Sequence, residues 1–333
     1  EAGREVLDLG IAPDALFYFA ILRGRGLDGG FMISGSHNPP EDNGLTLVVR
    51  PQGQKICRDV IEGDLQKIKK LVLKGGKKIS SDRKGTVISL DLSPDYLDYV
   101  APRIKLKKPL KIVVDTGNGA CGRLPEKIFE KLGCSVQTLY GEFDGHFPHH
   151  LPDPYIEKNR RDLQKAVLDN QADLGFAYDG DGDRVALIDN RGRMVDGDLC
   201  LLFLARQALR KKKGPVVHDM RVSQAFLDEM AKEGVKTYFS VSHHNAVIDK
   251  ILETKAVFGG EITLHFLFPE DYYLCDDAIF ASLKMAEVAS EQSDLARFVD
   301  RLPRYFASPE IFIDSADEEK FQIIQRLQQY LRE

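Results

Sequence analysis

The chain has no apolar run near the roughly 20 residues that a membrane helix needs, and no signal peptide opens it. It has no excess of positive charge: the net charge of -5 gives no basic footprint for a phosphate backbone, which excludes nucleic acid as the main partner. It also lacks paired cysteines. Cys57, Cys121, Cys134, Cys200 and Cys275 are odd in number, scattered and never spaced as CxxC. That pattern fits reduced thiols in a cytoplasmic protein rather than a disulfide frame or a zinc site. An initiator Met is absent as well, and the chain enters a Gly-rich, strand-like run at once, so it reads as part of something longer.

What is present is a soluble-protein composition, 43% hydrophobic and 29% charged, over 333 residues, too many for one ordinary core. Val6–Leu9 reads as a short strand, Pro13-Asp14 opens a helix to about Arg23, and Phe31–Ile33 reads as a buried strand. Ser34–Pro40 is a loop, because its Gly and paired Pro break regular structure. After the basic, Gly-rich stretch 74–78, Ser93 reads as an N-cap with Pro94 at the first helical position.

Strands are expected at 111–115, 174–178, 185–188, 216–217 and 235–239, with helices at 125–132, from a cap at Asp198 to the basic run 210–213, and from a cap at Ser223 to Lys232. Alternation on this scale implies α/β domains with mixed, mainly parallel sheets. Ligands collect at the carboxyl ends of such strands, so the loops after Ile33, Tyr178, Met220 and Phe258 are the informative ones.

Three of those loops hold chemistry. Asp179-Gly180-Asp181-Gly182-Asp183-Arg184 sets carboxylates at alternate positions on a Gly-permitted loop, able to point at one hard cation such as Mg²⁺. A merely solvated acidic turn is the plain alternative. An EF-hand is excluded, because its sixth and twelfth positions would be Arg184 and Asn190 instead of Gly and Glu. Arg184 beside the carboxylates suits a phosphate. Ser36, flanked by His37 and Asn38 and stiffened by Pro39-Pro40, could supply that phosphate, although Ser-His-Asn alone is ordinary turn composition. In the third loop Glu261, Thr263 and His265 share a face if extended; they could grip sugar hydroxyls or form the polar face of an edge strand.

Taken together, Ile33–Pro39 (ISGSHNP), Asp179–Arg184 (DGDGDR) and Gly260–His265 (GEITLH) resemble the α-D-phosphohexomutase family, from about Gly3 to Ser308-Pro309-Glu310 and beyond. The resemblance, which leans to the phosphomannomutase/phosphoglucomutase branch, implies three consecutive α/β domains at 1–105 (phosphoserine loop, N-terminally incomplete), 106–208 (metal loop) and 209–307 (sugar loop). Residues 308–333 would lead to a fourth, phosphate-binding domain not present in this chain, and Asp317–Glu333 reads as an amphipathic helix towards it. The family's N-terminal arginine-bearing strand would lie before Glu1.

It further implies an enzyme that interconverts hexose 1-phosphate and hexose 6-phosphate, of mannose or glucose, through a phosphoserine and a hexose 1,6-bisphosphate. Ser36 would carry the phosphoryl group, with His37 and Arg221 assisting. Asp179, Asp181, Asp183 and a phosphate oxygen on Ser36 would hold Mg²⁺, and Asn38, Arg184, His243, Glu261, Thr263 and His265 would meet the phosphosugar. His244 shares the ambiguous Ser242–Asn245 turn with His243. The protein would act as a monomer or homodimer.

Departures from the family pattern are Thr46 for a lysine near the phosphoserine, Arg221 for a lysine, Thr263 for a serine and Leu264 for a glycine in the sugar loop. A lysine expected shortly after His243 falls on Val247 or Asp249. They leave two alternatives open: a glucosamine-type phosphosugar mutase, and a weakened homologue that binds metal and phosphosugar without turnover.

Overall fold

β-branched runs alternate with helices whose ends are set by proline, acid or serine, and the architecture follows that alternation. The computed structural model describes residues 3–23, 26–51, 54, 56–76, 81–303, 305–306, 315–316 and 318–332. The first segment comprises β1 (Glu5–Asp8), α1 (Asp14–Leu22), β2 (Gly29–Ser34), β3 (Gly44–Val49), β4 (Arg58–Asp59), α2 (Glu62–Leu73), β5 (Thr86–Ser89) and α3 (Ser93–Val100). β1 pairs in parallel with β5, while β2, β3 and β4 form an antiparallel sheet in that order. β2 is not the buried strand the sequence predicts. Phe31 and Ile33 are 62% and 69% exposed, because β2 lies at the edge of its sheet and only alternate side chains turn towards α1.

The second segment holds β6 (Lys111–Asp115), α4 (Leu124–Lys131), β7 (Ser135–Leu139), α5 (Arg161–Asp169), β8 (Leu174–Tyr178), β9 (Val185–Asp189), β10 (Met194–Val195) and α6 (Gly197–Lys211). Its five strands run in the order β10-β9-β8-β6-β7, parallel at β6–β7 and β6–β8 and antiparallel at β8–β9 and β9–β10. Every residue of β8 and β9 is buried, which makes the loop between them the tip of a rigid hairpin.

The third segment contains β11 (Val216–Asp219), α7 (Gln224–Lys232), β12 (Thr237–Ser240), α8 (His244–Thr254), β13 (Phe258–Glu261), β14 (His265–Leu267), α9 (Ala278–Ser290) and α10 (Leu295–Asp300). The strand order is β12-β11-β13-β14, with only β13–β14 antiparallel. α9, buried at all of its residues, packs against α1, α6, β8, β9 and β14 and so ties the three segments into one unit ending at Pro303. A second unit, 304–333, holds α11 (Lys320–Tyr330), with no buried residue. Ser308–Glu310, Lys77, Lys78, Asp317 and Glu333 lie outside the described residues.

Two caps differ from expectation. Ser93 is the first residue of α3, not its cap, and Leu92 precedes it. Asp198 lies inside the first turn of α6, where it accepts the Ser223 N–H at 3.0 Å instead of capping its own helix. Ser223 does cap α7, accepting from Phe226 N at 3.4 Å. Among the described residues no helix is long and apolar enough to cross a membrane, and the five cysteines are free and buried.

Candidate active site

The loops after β2 and β8 meet because one of them has no side chain. A Cβ on Gly180 would lie 2.1 Å from the Ser36 carbonyl oxygen, so only glycine lets the backbones touch. Ser36 itself sits at φ 51°, in the left-handed region that a serine seldom occupies. Ser34 holds it there. Its hydroxyl accepts the Ser36 N–H at 2.8 Å and donates to Asp181 Oδ2 at 2.5 Å.

From this position Ser36 Oγ donates to Asp179 Oδ2 at 3.3 Å, accepts from Arg184 Nη2 at 2.9 Å and lies 3.0 Å from His37 Nδ1. Arg184 also contacts His37 and donates from Nε to Asp179 Oδ2 at 2.9 Å. Burial disfavours the guanidinium charge, but Asp179 and Asp183 outweigh it and hold the group above its ordinary pKa. Burial and then Arg184 push His37 down. Asn38 is exposed, and its N–H closes the loop on Gly35 O at 3.0 Å.

Asp179, Asp181 and Asp183 each bring an oxygen within 4.8 Å of the others. Asp179 is held in place by protein donors: Oδ1 accepts the N–H groups of Gly182, Asp183 and Arg184, each at 3.1 Å. Asp181 Oδ1 and Asp183 Oδ1 are buried without a hydrogen-bond partner. Burial followed by repulsion from its neighbours raises Asp179 well above the carboxylate range, and burial with Asp183 raises Asp181 to about 6. Asp14, at the start of α1, is raised by burial and by Asp181 in the same way. Asp183 runs the other way: burial opposes its charge, but His265 and Arg184, whose Nε lies 3.4 Å from Asp183 Oδ1, hold it below the usual carboxylate range. The three carboxylates form an all-oxygen donor set that suits Mg²⁺.

The sugar loop reaches the same centre. His265 Nε2 pairs with Asp183 Oδ2 at 3.3 Å and its Nδ1 with Glu261 Oε2 at 3.5 Å. Burial works against the imidazolium, yet Asp183 and Glu261 raise it well above its ordinary pKa. Thr263 Oγ1 donates to Glu261 Oε2 at 3.0 Å. Arg221 pairs with Asp219 Oδ2 at 3.0 Å and donates to Ser242 Oγ and Thr263 Oγ1 at 3.3 and 3.4 Å. The structure thus gathers Arg221 with Thr263 of the Gly260–His265 loop.

His243 is exposed ahead of α8. Its neighbour His244 instead lines a cavity of about 220 Å³ shared with Ser36, Thr46, Asp14, Asp59, Asp181 and Asp276. His244 Nδ1 bonds Asp276 Oδ2 at 2.5 Å, which outweighs burial and raises its pKa, and its buried Nε2 has no partner. Asn245 clasps Asp59 through two bonds of 3.2 and 3.0 Å and fixes that wall. Asp276, Asp59 and Asp14 were not visible as site residues, because they meet only when α1, β4, α8 and the turn before α9 pack. A larger cleft of about 820 Å³ also reaches Ser36, but its walls are mainly apolar, Leu9, Phe31 and Ile33 among them.

Family models described as phosphoglucomutase/phosphomannomutase α/β/α domains I, II and III match residues 1–76, 94–192 and 196–305. The phosphomannomutase/phosphoglucomutase of Pseudomonas aeruginosa is 34% identical over 332 residues, covering 98% of this chain and 69% of the relative. This chain belongs to the phosphoglucomutase/phosphomannomutase family. A probable phosphoglucosamine mutase of Methanothermobacter thermautotrophicus is 33% identical, covering 98% of the chain and 70% of the relative. A phosphoglucomutase/phosphomannomutase family protein of Burkholderia thailandensis superposes with a TM-score of 0.84 at 30% identity, over 92% of this chain and 67% of that one. The chain carries the family's three α/β/α domains with mixed sheets; α3 falls almost wholly within the second match and α6 within the third.

Proposed function

We propose that the chain carries the phosphoryl-transfer centre of a mutase interconverting hexose 1-phosphate and hexose 6-phosphate, with mannose and glucose as its sugars. One observation supports this above the others: a serine hydroxyl in a strained loop lies within hydrogen-bond reach of both Arg184 and Asp179, beside the carboxylates of Asp181 and Asp183. The segments 1–105, 106–208 and 209–307 would bring the phosphoserine, metal and sugar loops.

In the reaction, phosphorylated Ser36 gives its phosphoryl group to the free hydroxyl of a hexose monophosphate. The Oγ–P bond breaks, a sugar O–P bond forms, and the hydroxyl proton replaces phosphorus on Oγ, leaving serine and a hexose 1,6-bisphosphate. The sugar turns over and returns its other phosphate by the reverse exchange. Asp179, Asp181, Asp183 and a phosphate oxygen on Ser36 would hold Mg²⁺, which would supply positive charge to the transferring oxygens.

Arg184 steadies Oγ and adds cationic charge, with His37 and Asn38 bordering the phosphate. Glu261, Thr263 and His265 hold sugar hydroxyls, Arg221 orients Thr263, and His244 takes the place at the substrate that the sequence offered to His243. Buried free thiols favour a cytoplasmic setting.

A glucosamine-type substrate is the second reading, favoured by the Methanothermobacter relative and by a cavity whose wall bears Asp14, Asp59 and Asp276 around the uncharged Thr46. Phosphorus NMR of the protein with Mg²⁺, a trace of glucose 1,6-bisphosphate and, in turn, the 1-phosphates of glucose, mannose and glucosamine separates these. Fastest 6-phosphate formation from glucose or mannose supports the first reading, and from glucosamine the second. No conversion of any by protein phosphorylated on Ser36 overturns both in favour of a binding homologue.

A further inference from the structure

Leu264 sits in the middle of the sugar loop at φ 77°, a backbone conformation that glycine adopts freely and a branched side chain resists. It is 1% exposed, and its side chain belongs to the main hydrophobic core instead of narrowing either cleft. The loop around it is pinned on two sides. Leu264 N–H donates to Glu261 O at 3.1 Å, and Val185 N–H at the start of β9 donates to Leu264 O at 3.4 Å. Ile262 O rests so close over the N-terminus of α6 that a Cβ on Gly197 would lie 2.2 Å from it. The turn that results places Thr263 Oγ1 3.0 Å from Glu261 and His265 Nε2 3.3 Å from Asp183.

We propose that Leu264 is a positioning residue that locks the sugar-binding edge onto the metal domain. Its buried side chain holds Glu261, Thr263 and His265 in register with the metal loop at the expense of a disfavoured backbone conformation. The part of this concerning sugar rests on the mutase reading above. Judged by backbone conformation alone, Leu264→Gly should tighten the loop. The anchoring role requires the opposite, because glycine removes the side chain that holds the loop down.

Hydrogen exchange on wild type, Leu264→Gly and Leu264→Met tests the lock without any ligand. Amides of 262–266 are expected to exchange about tenfold or more faster in the glycine variant, with the methionine variant restoring protection through its similar volume. In steady-state kinetics with glucose 1-phosphate and Mg²⁺, Leu264→Gly should raise KM about tenfold, the equivalent of one lost hydrogen bond, and leave kcat within about twofold. Unchanged exchange and KM in the glycine variant would overturn the proposal, as would a methionine variant as loose as glycine. Wild type that fails to turn over any hexose phosphate would sink the mutase reading, and the exchange comparison would still decide the anchoring.

Discussion

Gly180→Ala is the smallest change that should separate the two reacting loops. The added methyl carbon would lie 2.1 Å from Ser36 O and 3.2 Å from both Ser36 C and Pro152 Cγ. Ordinary contact is about 3.5 Å, so the loops must part by more than about 1 Å. The metal loop has little room to retreat, since Gly180 O is already bound by Ala120 N–H at 2.7 Å and β8 and β9 are wholly buried. The displacement therefore falls on Ser36, whose positive φ and bonds to Ser34, Arg184 and Asp179 depend on its place.

A misplacement of about 1 Å slows a positioned reaction by roughly a hundredfold, and overpacking of this kind destabilises by about 1–3 kcal/mol. The assay is single-turnover phosphorylation of Ser36 by glucose 1,6-bisphosphate, followed by quenched mass spectrometry, with a urea melt alongside. Gly145→Ala serves as control, because a Cβ there meets nothing within 4 Å. Gly180→Ala phosphorylated at the wild-type rate would refute the reasoning, since the loops would then not need their contact.

Arg184→Ala leaves Asp179, 0% exposed, without its cation. Loss of about 3–5 kcal/mol is expected in EDTA, and added Mg²⁺ should raise the melting temperature more in this variant than in wild type. Equal Mg²⁺ shifts in calorimetry would contradict the shared charge balance. Asp277 caps α9, accepting from Phe280 N at 2.7 Å and from Tyr96 Oη at 3.0 Å, and burial raises it from 3.8 to about 6. With the folded pKa above the unfolded one, its stabilising contribution is full below about pH 4 and lost as pH rises through about 6, a change of about 3 kcal/mol. Asp277→Asn keeps a capping oxygen and removes the charge. Its stability relative to wild type should rise by up to that amount between about pH 4 and pH 7 in urea unfolding; a constant difference would show that the carboxylate does not titrate there.

The reactive loops were legible in the sequence because their chemistry is local. Ser36 with His37 and Asn38, and three carboxylates spaced by glycine, are each written within six residues. The strand-helix alternation was legible for the same reason, since β-branched runs and end signals such as Ser223 act over one turn. What depended on packing was hidden. The hydrogen bond between His244 and Asp276 spans a helix, two strands and a loop, so nothing local sets His244 apart from His243. Where the Leu264 side chain goes was hidden as well: it lies in the core. Phe31 and Ile33 passed for buried residues because hydrophobicity marks a strand without saying which sheet edge it occupies.

The proposed reaction depends on Ser36 as the phosphoryl carrier. Incubation of the chain with Mg²⁺ and glucose 1,6-bisphosphate, followed by phosphopeptide mapping of wild type and Ser36→Ala, tests that most directly. The expected result is one phosphoryl group on Ser36, dependent on Mg²⁺ and absent from the alanine variant. Phosphate on another residue, or none on Ser36 in folded protein with Mg²⁺ bound, would contradict it.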